Sequence, residues 1–97
     1  MRTVIENRQE FERYLVEAIA KMKALIVNEP DDKTLKAVLR QLEAIQQWTA
    51  NGQTMTRGQV AKIVMGLQAH REMGDFPVEQ DLVLALNNYI ESDDVEI

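Results

Sequence analysis

Apolar residues recur along this chain in steps of three and four, the repeat that gathers them on one side of an α-helix. Between residues 8 and 28 they are Phe11, Leu15, Ala18, Ile19, Met22, Leu25 and Ile26, which predicts a first helix over 7–28. Pro30 stops it, because a residue ahead of proline is pushed out of the α region. Asp31 or Asp32 then offers a carboxylate to the free backbone N–H groups of a second helix over 32–51, whose stripe is Leu35, Val38, Leu39, Leu42, Ile45 and Trp48. Asn51 and Gly52 both tolerate left-handed backbone and suit its end.

The third stretch opens on "TRGQ", the spacing of a capping box with Thr56 at the cap and Gln59 three residues on. A third helix is expected over 57–73, with Val60, Ile63, Val64 and Leu67 inward and Gly74 as its stop. Gly58 and Gly66 each weaken it by about 1 kcal/mol relative to alanine, which points to close helix packing as their reason. Pro77 suits the first turn of a fourth helix over 77–92, where its missing N–H is not needed. Val78, Leu82, Leu86, Tyr89 and Ile90 form its inner face, and residues 93–97 are expected to fray. No stretch reads as a strand, a repeat or a low-complexity segment. The pattern therefore predicts an all-α, single-domain four-helix bundle.

At 97 residues the chain has room for one core and not two. It has no cysteine, which excludes a disulfide framework, thiolate zinc sites and a cysteine nucleophile and fits a reducing compartment. No apolar run approaches the roughly 20 residues that span a bilayer, and "MRTVIENRQEFER" lacks the apolar core of a secretory signal, so a cytoplasmic protein is expected. Sixteen acidic residues against eleven basic ones leave a net charge of −5, which repels a phosphate backbone and attracts a basic partner. Nucleic acid and membrane are not expected partners.

Chemistry has one place to reside. "HREMGDFPVEQD", residues 70–81, holds the sole histidine among Glu72, Asp75, Glu79 and Asp81. His70 and Glu72, two apart on a helix, point about 200° apart and cannot meet on one ion. One imidazole with scattered carboxylates is a poor metal set, and the serine elbow, the Gly-rich phosphate loop and the H-E-x-x-H signature are all missing. Neither a metal, a cofactor nor an enzyme activity is expected, and His70 reads as a residue at the edge of the apolar stripe, hydrogen-bonded to a neighbour. The acidic cluster has two readings: a solvated turn serving the dipole of the last helix, or a surface that meets positive charge. Phe76 is either an anchor for a partner's pocket or a staple tucked inward. Trp48 is likewise either a core-edge residue or a contact.

The order of "RQLEAI" in the second helix, "KIVMGLQAHRE" in the third, an acidic turn with a proline, and "DLVLALNNYI" in the fourth resembles a family. It is similar to the small helical immunity proteins of bacterial type VI secretion that neutralise NAD(P)-hydrolysing effector toxins and their relatives. The similarity runs from residue 8 to 92, with Gln41, Leu42, Ile45, Gly66, Ala69, Arg71, Glu72, Pro77, Leu82, Ala85, Leu86 and Tyr89 in matching places. The turn between Glu72 and Leu82 is longer here than in that pattern. The resemblance implies a protein that does no chemistry and plugs the active site of a cognate effector toxin, one using NAD or a related nucleotide. Under it, Glu72, Asp75, Phe76, Glu79 and Asp81 are the first partner-binding candidates, with Trp48 and Gln53 as secondary ones. A small helical adaptor or secretion chaperone is the alternative, and a homodimer is compatible with both.

Overall fold

The computed structural model describes residues 3–92; the tail expected to fray, 93–97, lies outside them. Helices occupy Arg8–Asn28 (α1), Lys33–Trp48 (α2), Arg57–Ala61 (α3), Met65–Glu72 (α4) and Pro77–Ile90 (α5), with a single 3-10 turn at Ala50–Gly52. The described residues form no strand. Helix α1 packs on α2 and α5, and α4 packs on α2 and α5, so α1, α2, α4 and α5 close a four-helix bundle. Every neighbouring pair runs antiparallel. Arg8 at the start of α1 reaches Thr49 past the end of α2, Thr34 at the start of α2 reaches Glu72 at the end of α4, and Phe11 stacks on Tyr89 near the end of α5.

Local sequence sets most of the boundaries. Asn7 caps α1 by accepting from the Glu10 N–H at 2.9 Å, and Asp32 caps α2 by accepting from Leu35 at 3.0 Å. Asn51 and Gly52 take φ of 60° and 78°, the left-handed backbone their types allow, and carry the chain out of α2. Thr56 and Gln59 form the expected capping box of α3. Pro77 begins α5.

One core runs through the bundle. Phe11, Leu15, Met22, Leu35, Val38, Leu42 and Ile45 meet Met65, Ala69, Met73, Leu82, Val83, Leu86 and Ile90 in a single cluster. The radius of gyration, 12.6 Å, is that of a compact chain of this length. Among the described residues, no helix is long and apolar enough to cross a membrane.

The expected third helix is in fact two. The helix is interrupted at residues 62–64, where Val64 takes φ −123° and ψ 13°, so α3 and α4 are separate elements. The Lys62 and Ile63 N–H groups bond back only three residues, to Gln59 and Val60, which tightens and ends α3. The Val64 N–H then donates to the Gln41 side chain at 2.7 Å. The inward stripe expected for this stretch is corrected accordingly: Ile63 is buried, but Val64 and Leu67 are 50% and 54% exposed, and Met65, Gly66, Ala69 and Met73 take the core. Val78, expected inward on the last helix, is 62% exposed because it lies in the first turn of α5, ahead of the buried run from Leu82.

Candidate protein-interaction surface

The acidic stretch forms the joint between α4 and α5, and two side chains pin it. Met73, at the end of α4, is fully buried, and its carbonyl accepts from the Phe76 N–H at 3.0 Å, closing a tight turn. Phe76 is half-buried and packs against the core, so the staple reading describes it better than free display does. Between these two fixed points, Gly74 and Asp75 stand exposed at the tip. The turn is thus fastened at both ends and carries a carboxylate at its tip.

Glu72 is exposed on the last turn of α4 and accepts from the Thr34 hydroxyl at 3.1 Å, a tie across to α2. Glu79 is half-buried in the first turn of α5, where the positive end of the helix dipole favours it. No lysine or arginine among the described residues makes an ion pair with Glu72, Asp75 or Glu79; the ion pairs formed there are Arg8 with Glu12 and Lys23 with Glu43. The rim's carboxylates thus have no ion-pair partner among the described residues.

Asp81 behaves differently. Both of its carboxylate oxygens are taken by Thr3, whose N–H donates at 3.1 and 3.2 Å and whose hydroxyl donates as well. It belongs to the anchoring of the N-terminal segment. Trp48 and Gln53 lie at the other end of the bundle, past the length of α2 from Thr34, about 21 Å away along its axis. Trp48 is half-buried against the core, while Gln53 is exposed and its carbonyl accepts from Arg8 at 2.8 Å. The structure gathers Glu72, Asp75, Phe76 and Glu79 at one end and leaves the other two candidates apart from them.

His70, expected at a boundary with a hydrogen-bonded neighbour, is exposed beside Arg71 on the last turn of α4. The Arg71 charge there faces the negative end of that helix's dipole. Among the described residues, no group of three or more His, Asp or Glu side chains is placed to hold a metal ion.

Three polar residues that position this surface were not singled out for that role by sequence. Helix α4 has no side-chain cap of its own. Gln41 of α2 accepts from the Val64 N–H and donates to Gln68 at 2.6 Å, while Asn87 of α5 accepts from the Gly66 N–H at 3.3 Å. A third, Gln80, donates to the Ala69 carbonyl at 2.8 Å and ties α5 to α4 beside the acidic turn. The signal available in the sequence was a polar residue interrupting an apolar stripe, Gln41 beside Leu42 and Asn87 beside Leu86. Such a residue at a core position needs hydrogen-bond partners.

Comparison of the chain with family models, with curated proteins and with solved structures returns no match.

Proposed function

We propose that this chain is an immunity protein that binds a cognate secreted bacterial toxin in the cytoplasm and occludes its active site, the toxin being one that uses NAD or a related nucleotide. The observation that carries the reading is the carboxylate rim of Glu72, Asp75 and Glu79, which no described lysine or arginine ion-pairs, mounted on a turn held by buried Met73 and half-buried Phe76. A cleft that binds a dinucleotide must present cations and N–H donors to its phosphates, and a rigid acidic knob competes for those same groups. Holding the turn in place before contact reduces the ordering cost of binding. The carboxylates speed encounter, and the exposed edge of Phe76 supplies an apolar contact at the centre of the rim.

In this role the chain turns over nothing. It acts by excluding substrate, with the long-range pull of a net charge of −5 guiding it to a basic cleft. Co-expression with the toxin encoded beside it tests the reading. Growth rescue by the wild-type chain should be lost on Asp75→Lys with Glu79→Lys while the far-UV circular dichroism of the variant stays helical. Full rescue by a folded double variant would remove the turn from the interface.

A further inference from the structure

The turn that follows α2 carries the pair Asn51 and Gly52, and it sets this asparagine apart from the others in the chain. An asparagine side-chain amide is open to attack by the backbone nitrogen of the next residue, at a rate governed by how freely that nitrogen reaches it. Asparagine stands at 7, 28, 51, 87 and 88, followed by Arg8, Glu29, Gly52, Asn88 and Tyr89. Only at Asn51 does the next residue lack a side chain to crowd the approach. Asn51 and Gly52 are both exposed, and a Cβ added to Gly52 would meet nothing within 4 Å, so water reaches the pair. The other four are held. Asn7 caps α1, Asn87 is buried on the Gly66 N–H, the Glu29 nitrogen beside Asn28 donates to the Leu25 carbonyl at 3.0 Å, and Asn88 lies within α5.

The folded turn keeps the reacting atoms apart. With ψ of 29° at Asn51, the Gly52 nitrogen stands nearly opposite Cβ across the Cα–C bond, whereas ring closure needs the two eclipsed. The swing that brings them together breaks the turn, whose Gln53 N–H returns to the Ala50 carbonyl at 3.2 Å. Arg8 fastens it from α1. Its Nη2 donates to the Thr49 carbonyl at 2.9 Å and to the Gln53 carbonyl at 2.8 Å, one on each side of the pair. An exposed turn of this kind opens locally, without unfolding of the core, at a free energy set by such ties.

We infer that Asn51 is a site of spontaneous deamidation, and that the Arg8 clamp sets its rate. In the opened turn the Gly52 nitrogen gives its proton to hydroxide and bonds to the Asn51 Cγ; the Cγ–Nδ2 bond breaks, ammonia leaves, and a five-membered succinimide closes. Water then opens the ring. Addition at Cγ restores the main chain with an aspartate in place of Asn51. Addition at the main-chain carbonyl carbon breaks its bond to Gly52 and leaves the chain running through the side chain as an isoaspartate. No oxidant or reductant enters. Either product makes the net charge of −5 one unit more negative, and the isoaspartate lengthens the backbone between the two carbonyls that Arg8 bridges. The pair lies at the end of the bundle away from the Asp75 turn, so this inference and the toxin reading stand or fall independently.

The test holds the full folded chain in mildly alkaline buffer and follows it by intact mass and peptide mapping. Conversion of one amide to an acid should map to residue 51, as a mixture of aspartate and isoaspartate, at a rate that rises with hydroxide. Arg8→Met keeps an apolar stem and removes the donors, and should raise that rate about tenfold, the effect of losing a charge-assisted tie. Leu35→Ala trims the core at the opposite end of the bundle and should leave the rate unchanged. The wild-type chain unfolded in guanidinium should convert faster than the folded one, a comparison that stands whether or not Arg8→Met folds. Conversion that maps first to another asparagine overturns the inference, as do equal rates in the folded and unfolded chains. Equal rates in wild type and a folded Arg8→Met overturn it too, and so does acceleration by Leu35→Ala as great as by Arg8→Met, which would make global unfolding the route.

Discussion

Gly66 and Asn87 meet where α4 begins, and the contact leaves no room for another atom. A Cβ added to Gly66 would stand 2.6 Å from both Cγ and Nδ2 of Asn87, whose Oδ1 accepts the Gly66 N–H. Gly66→Ala should therefore destabilise the domain by about 1–3 kcal/mol, the usual cost of overpacking a core. Asn87→Ala should cost about 1–3 kcal/mol by orphaning a buried N–H. In the double variant the clash is gone, so the two losses should fall short of additivity by about 1 kcal/mol or more in a urea-unfolding cycle. Strict additivity would mean that the two residues do not share this contact. The need for a small residue at Gly66 can be read from a glycine inside a helical stripe. Its partner cannot, because that depends on how α4 and α5 are set against each other in space.

At the scale of the element, the break between α3 and α4 is the one feature that a periodic reading could not reach. Val60, Ile63, Val64 and Leu67 fit an unbroken helix as well as any stripe in the chain, and residues 62–64 contain neither glycine nor proline. Beyond the tightened end of α3 the break is held by bonds made at long range: Gln41 takes the Val64 N–H, and its amide also donates to the Ala37 carbonyl at 3.2 Å and to Gln68 at 2.6 Å. The helices bounded by local chemistry came out close to expectation, with Asp32, the Thr56 and Gln59 box, and Pro77 each at its foreseen place. Two substitutions separate the broken element from a continuous one. Leu67→Gln should shift stability by no more than about 0.5 kcal/mol, since the side chain faces water, whereas truncating a core leucine costs about 2–5 kcal/mol. Gln41→Ala should cost about 0.5–1.5 kcal/mol and speed deuterium exchange at the Val64 amide, because that N–H loses its protein acceptor. A large loss at Leu67 together with none at Gln41 would restore the continuous helix.

Taken whole, the molecule has two ends that carry different candidate residues and one core that joins them. The candidate residues nearest in sequence, Glu72 to Glu79, were brought together because a turn keeps neighbours adjacent. Trp48 and Gln53 entered as secondary candidates at the end of the second helix, and the antiparallel run of α2 against α4 places them at the end of the bundle away from the turn. Asp81 fell out of the rim for a similar reason: its partner, Thr3, is 78 residues away in sequence and invisible to local pattern. That separation gives the proposed surface an internal control. Trp48 is the sole tryptophan, half-buried at the end remote from the acidic turn, so its fluorescence reports folding without touching the surface under test. Because a single apolar cluster spans the described bundle, unfolding followed by Trp48 emission and by far-UV circular dichroism should coincide in urea, as two-state behaviour requires. Reversing charge at Asp75 and Glu79 should keep the two curves coincident. The stability lost should be about 0.3–2 kcal/mol, arising at the α5 N-terminus where Glu79 favours the dipole and a lysine opposes it. A fluorescence transition that precedes the helical one would show the two ends melting separately, and loss of rescue by the reversed variant could then no longer be ascribed to the surface.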